Sequence, residues 1–184
     1  ASYYFMLDDF DSALESVNTG LEIYPDSVFL VQKKADALFQ TGQTDAALEV
    51  VAELIAREPS NPQYHLVVGT QIYQRVQELS DEYQANNDKL YDLRNGDGNE
   101  AEIQALEERN EEVLNQQDDL TNRAEASLLN AIELDDTNPV SFNTLGILYQ
   151  NKAAALFEQR NMTTDNDEAS RLDELARAEA EKAM

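Results

Sequence analysis

The stretch VFLVQKKADALFQTGQTDAALEVVAELIAREPSNP, residues 28–62, holds a complete helix–turn–helix unit with its punctuation. Residues 28–40 place Phe29, Leu30, Val31, Ala35, Leu38 and Phe39 at the spacing of one helical face. Thr41-Gly42-Gln43 interrupts the pattern, with a glycine free to adopt the left-handed backbone that closes a helix. Thr44 or Asp45 is expected to cap the second helix. That helix, 45–57, carries Ala46, Ala47, Leu48, Val50, Val51, Leu54 and Ile55 at helical spacing. Pro59 stops it, and Pro62 suits the first turn of the next helix. A helix pair of this size cannot bury its apolar face alone, so it must stack on neighbours.

The neighbours are legible as repeats. Pro25 and Pro59 lie 34 residues apart, as do Ala13 and Ala47, and Val17 and Val51. Val31, Ala35 and Leu38 recur 34 residues on as His65, Gly69 and Ile72. Beyond Ile72 the period changes. Ala47, Val51 and Leu54 recur at Ala124, Leu128 and Ala131, an offset of 77. His65, Gly69 and Ile72 recur at the same offset as Phe142, Gly146 and Tyr149. One unit has therefore gained 43 residues between its two helices.

The inserted residues form two heptad seams. The first arm has Ile72, Val76, Leu79, Tyr83, Asn86, Leu90 and Leu93; the second has Ile103, Leu106, Asn110, Val113, Gln117, Leu120 and Ala124. If Asn95-Gly96-Asp97-Gly98-Asn99 folds the arms antiparallel, Leu93 meets Ile103, Leu90 meets Leu106, Tyr83 meets Val113 and Ile72 meets Ala124. Asn86 then faces Asn110, a polar pair that would fix the register; the alternative is that both amides point to water. About 22 residues of arm beyond Ile72 would project roughly 33 Å. A fourth unit repeats the device: its first helix runs from Phe142 through Lys152 and Leu156 to a break at residues 161–166, and a second arm, 167–184, follows. Ala183 stands where the repeat's second helix would start.

Val31, Ala35, Leu38, Ala47, Val51 and Pro59 together resemble the signature of the tetratricopeptide repeat, with Lys34 in place of its usual Leu and Val51 in place of its aromatic. The resemblance implies an all-α, right-handed stack of antiparallel helix pairs, here with a projecting antiparallel coiled-coil hairpin. The boundaries are a partial repeat at 1–25, a second repeat at 26–61, a third at 62–138 with the hairpin at about 73–123, and an extended, truncated fourth at 139–184. The chain opens in mid-pattern without Met, so it is expected to be a fragment whose targeting segment is missing. In this family the first helix of each repeat lines a concave groove. That assigns Phe29, Gln32, Asp36, Phe39 and Gln40 to the groove, then Gln63, Leu66, Thr70, Tyr73 and Gln74, then Val140, Asn143, Ile147, Gln150 and Asn151. Phe39 and Tyr73 have packing against the next repeat as an alternative role. Positions that clamp a carboxylate in chaperone-binding members hold Gln32 and Asp36, Leu66 and Thr70, and Asn143 and Ile147, which does not suit that ligand. The extended later repeats are also similar to repeat proteins of Bacteroidetes-type bacteria, often in the envelope, which implies a periplasmic or envelope location.

The 37 acids against 13 bases leave a formal charge of −24, which argues against nucleic acid because phosphate binding needs clustered Lys and Arg. Two main readings of the acidity stand side by side, a halophilic source or the solvated faces of an all-α protein, with a dedicated basic partner as a third. No apolar run is long enough to span a bilayer, and the absence of cysteine removes disulfides and thiolate chemistry. His65, the only histidine, occupies a packing position, and neither a metal site nor a cofactor is expected. Asn95-Gly96-Asp97-Gly98-Asn99-Glu100 departs from a calcium loop at Glu100 and at Leu106, and reads as a turn. Asn161-Met162-Thr163 fits the glycosylation triplet. With no nucleophile–base pair or phosphate loop, the function expected is a non-enzymatic scaffold that binds a protein or peptide. Structural self-assembly through the hairpin or the repeat ends is the competing expectation.

Overall fold

The structure, a computed structural model, describes residues 2–96 and 98–183 apart from the side chain of Met162. Ala1, Asp97 and Met184, which enter the readings of the first repeat, the tip and the chain end, lie outside the described residues. Among those described there are eight helices and no strand. The chain falls into two compact units, Ala1–Val68 and Gly69–Met184.

The first unit contains α1 (Ser2–Phe5), α2 (Phe10–Ile23), α3 (Val28–Gln40), α4 (Thr44–Arg57) and the opening turns of α5 (Pro62–Asn95). Asp9 caps α2 by accepting from the Ser12 amide (3.2 Å), and Ser27 caps α3 by accepting from the Leu30 amide (3.4 Å). The start of α4 departs from expectation. Thr44 is already helical and Asp45 lies in the first turn, while Gln43 holds the cap position without a side-chain cap bond. Gly42 takes φ of 73°, and the turn it makes delivers the chain to the helix one residue early. Asp45 contributes instead through its charge at the positive end of the helix.

The core of this unit is the face read from the sequence. Val31, Ala35 and Leu38 of α3 pack with Ala47, Val51 and Leu54 of α4, and Tyr64 of α5 joins them. Burying an aliphatic side chain such as Leu54 contributes about 1.5–3 kcal/mol, so a few such contacts decide whether the unit folds. Ala13 and Val17 of α2 are fully buried. Gly20 lets Leu30 approach α2: a Cβ there would lie 3.0 Å from Leu30 Cδ1.

The second unit contains the rest of α5 together with α6 (Glu100–Leu134), α7 (Pro139–Met162) and α8 (Asn166–Lys182). The unit boundary thus falls inside α5, after Val68, and not at residue 62 where the repeat begins. Tyr64 belongs to the α3–α4 core, whereas Gly69 faces Leu128 and Ala124 of α6. Every seam position of the two inserted arms is buried or half-buried, with Ile72, Leu79, Leu90, Val113 and Ala124 buried. The arms run antiparallel. Lys89 pairs with Glu102 (2.8 Å), Arg109 with Glu82 (2.7 Å), and Arg94 with Glu107. Asn99 caps α6, Asn138 caps α7 ahead of Pro139, and Asp165 caps α8.

In α7 the inward stripe is Ser141, Leu145, Leu148, Tyr149 and Ala153. Phe142, aligned by sequence with the buried Val31, is therefore 49% exposed, because the stripe passes one position to its side. Leu172 and Ala176 are the buried residues of α8. A Cβ on Gly146 would lie 3.6 Å from the Ala183 carbonyl, just as one on Gly69 would lie 3.3 Å from the Ala124 carbonyl. The two repeats bring equivalent backbone positions together despite inserts of different length.

Candidate interaction surfaces

The residues expected in a groove separate into free and committed side chains. In the first unit Phe29 is 53% exposed, and Gln40 and Gln63 are exposed. Asp36 is exposed and paired with Lys33 (2.8 Å). Gln32 is half-buried and donates to the Tyr64 hydroxyl (2.7 Å), which itself donates to Glu58 (2.8 Å). Burial and then the Glu58 contact hold the Tyr64 phenol above its ordinary value. Phe39 packs against the α3–α4 core, its alternative role. Leu66 corrects the groove assignment: it is only 6% exposed and so offers almost no surface to a partner.

In the second unit Gln74 and Asn143 are exposed and Ile147 is 39% exposed. Thr70 is half-buried, and its hydroxyl has no partner among the described residues. Tyr73 is the second correction, at 8% exposed. Its hydroxyl accepts from Gln77 Nε2 and from Asn151 Nδ2, both at 2.6 Å, and burial pushes the phenol up against those hydrogen bonds. Repeat position alone placed Asn151 in the groove and was silent about its partner on α5.

The structure brings Asn86 and Asn110 together. Asn86 Nδ2 donates to Asn110 Oδ1 (3.0 Å), and Asn110 Nδ2 donates onward to Asn87 Oδ1 (2.9 Å). His65 is half-buried, with Nε2 3.3 Å from the Pro59 carbonyl.

Two features of the second unit were not read from the sequence. One is an ionic knot joining α6, α7 and α8. Lys152 contacts Glu125 (2.7 Å) and Glu179 (3.7 Å), Tyr149 donates to Glu125 (3.0 Å), and Lys182 pairs with Glu179 (2.9 Å) while lying 5.2 Å from the Tyr149 ring centroid. Burial opposes the charge on Glu125, but the bonds from Lys152 and Tyr149 outweigh it and hold the carboxyl below its ordinary value. The Tyr149 phenol is pushed up to about 12, by burial first and then by Glu125. The other feature is a cleft of about 230 Å³ bordered by α5, α6 and α7, with the fully buried Leu148 among its lining residues. Its α6 wall includes Gln117 and Asp118, polar positions on and beside the seam. The only signal available beforehand was the glutamine standing at a heptad position.

A family model described as tetratricopeptide repeat matches residues 4–69. Residues 4–69 are thus a tetratricopeptide repeat segment. The matched residues lie within the region of 34-residue spacing and stop at Gly69, just short of Ile72, beyond which the period changes. Among solved structures the chain is similar to a thermophilic TPR protein of Thermus thermophilus. The identity is 19%, with 95% of this chain and 94% of that one covered, at a TM-score of 0.35, a superposition too loose to carry an argument. No curated protein matches the chain.

Proposed function

We propose that this chain is a non-catalytic scaffold that binds a peptide or protein segment through the exposed faces of its repeat-opening helices. Tetratricopeptide repeat proteins act in general as protein-interaction scaffolds, which supports the class. The observation that carries the finer reading is the face of α7, where Val140, Asn143 and Ile147 follow each other at steps of three and four and all remain exposed. An apolar and amide stripe left open on a helix whose opposite face is buried suits a partner that brings apolar side chains and backbone amides. In the first unit Phe29, Asp36 and Gln40 form a comparable face on α3. The charge of −24 repels phosphate and makes nucleic acid a poor partner. No described helix is long and apolar enough to cross a membrane.

The test is affinity capture from the source organism with wild type, Ile147→Asp and Phe29→Ala. Loss of the same partner from both variants, with helicity unchanged, supports the reading. Retention of every partner overturns it.

Self-association is a second reading, favoured by the exposed Tyr3, Met6 and Leu7 around α1. Light scattering over a range of concentrations tests it, and a strict monomer rules it out.

A further inference from the structure

Several polar side chains of the second unit's cleft have their donors committed and hydrogen-bond acceptors left over. The Ser80 hydroxyl donates to the Val76 carbonyl (3.0 Å) and accepts from Gln117 Nε2 (2.7 Å). A serine has one proton, and it is already used, so Gln117 must offer Ser80 its N–H side and keep its Oε1 for the cleft. Gln77 and Asn151 both donate to the Tyr73 hydroxyl. A phenol also has a single proton, so at most one of those amides could face it carbonyl-first, and at least one further amide oxygen is left over. Asp118 adds a carboxylate with no ion pair among the described residues. Lys152, which also borders the cleft, has its charge taken up by Glu125 and Glu179. Val76, Leu114, Leu148 and Leu156 supply the aliphatic part of the lining, and Thr121, Asn122 and Gln159 add groups that can both donate and accept.

We propose that this cleft docks an arginine side chain of a partner protein. Its three-carbon stem lies against Leu114 and Leu156. Its guanidinium, all donor and no acceptor, meets the Asp118 carboxylate and the spare oxygens of Gln117 and Asn151. A planar fork of donors suits several acceptors spread over two helices better than a compact ammonium does. The charge of −24 draws basic segments toward the surface, and the cleft supplies the geometry that selects among them.

The biological meaning rests on the scaffold reading, but the test does not need the native partner. Side-chain amide resonances of the full chain are followed by NMR during titration with a blocked tripeptide holding a central arginine, and with its citrulline counterpart. The arginine peptide is expected to move the Gln117 and Asn151 amides saturably, and citrulline to bind at least about fivefold more weakly. Asp118→Asn should weaken the arginine peptide by a similar factor. Ala155→Phe, which fills the cleft without changing charge, should abolish the shifts. Glu49→Gln removes the same charge from an exposed site that does not border the cleft, and should bind as wild type. The proposal is overturned if citrulline binds equally, if Asp118→Asn and Ala155→Phe bind as wild type, or if Glu49→Gln weakens binding as much as Asp118→Asn. A native partner captured equally well by Asp118→Asn and Ala155→Phe sinks the arginine site and leaves the scaffold standing. Saturable peptide shifts with no protein captured by wild type sink only the scaffold.

Discussion

Asn86 Nδ2 and Asn110 Oδ1 lie 3.0 Å apart, and the second amide nitrogen of the pair, on Asn110, is satisfied in turn by Asn87. The seam around this amide ladder is apolar or aromatic apart from Gln117. A one-heptad slip sets at least one of Asn86 and Asn110 against an aliphatic residue and leaves its amide unsatisfied. Asn110→Leu should therefore leave the Asn86 and Asn87 amides without their partner and destabilise the chain by about 1–3 kcal/mol. Changing Asn86 and Asn110 together to Leu should recover most of that loss. Urea denaturation of the two single variants and the double variant checks the coupling, and strict additivity would refute it.

Gly69 and Gly146 occupy equivalent repeat positions but have different neighbours. A Cβ on Gly69 would meet Leu128 Cγ at 2.6 Å, and Leu128 is fully buried, so it has nowhere to go. Overpacking costs about 1–3 kcal/mol and the gain in helix propensity returns up to about 1, so Gly69→Ala should be destabilising. At Gly146 the nearest atom lies 3.6 Å away, an ordinary contact, and Gly146→Ala should be neutral or stabilising by up to about 1 kcal/mol. Thermal melts should show a lower midpoint for Gly69→Ala and an unchanged or higher one for Gly146→Ala.

The ionic knot predicts stability losses at both ends of the pH scale. The Tyr149 phenol is raised to about 12 from an ordinary value of 10.0, so its contribution is complete below pH 10 and is lost as pH climbs toward 12. Glu125 is shifted the other way, so its contribution is present above its ordinary value of 4.5 and is lost as pH falls below it. Tyr149→Phe should be less stable than wild type at pH 7 by about 1.5 kcal/mol, the worth of one hydrogen bond to a charged group at the low end. That difference should shrink between pH 10 and 12. Denaturation curves of both proteins at neutral and alkaline pH measure it; a gap that widens with pH would contradict the assignment.

Ser141 is buried in the inward stripe of α7, and its hydroxyl has no hydrogen-bond partner among the described residues. Replacing an unsatisfied buried hydroxyl with hydrogen removes a desolvation cost, so Ser141→Ala should be neutral or stabilising by up to about 1 kcal/mol. A clear loss of stability in the same denaturation assay would show that the hydroxyl is bonded.

Much of the fold was open to reading because its causes are local. The offsets of 34 and 77 place every small residue where two helices approach, and the heptad steps from Ile72 to Leu93 and from Ile103 to Ala124 mark the faces that turn inward. Periodicity of this kind depends only on neighbours three and four positions away along one helix. The candidate surfaces were less legible. Phe29, Asn143 and Ile147 are exposed as expected of a groove, but Leu66 and Tyr73 are buried and Gln32 is bonded to Tyr64. A position's number within a repeat says which way it points, not what stands opposite it.

The sequence by itself therefore determined an all-α chain, the offsets of 34 and 77 at which its small and apolar residues recur, and the periodic stripe in which Asn86 and Asn110 lie. Tertiary structure alone decided that Phe142 stays out of the core, that Glu125, Lys152 and Glu179 meet, and that Gln117 and Asn151 border one cleft. The physical reason is the range of the interactions. Helix periodicity is set within a few residues, whereas burial and hydrogen-bond direction depend on side chains brought from α5, α6, α7 and α8, whose rotation about their own axes no local pattern specifies.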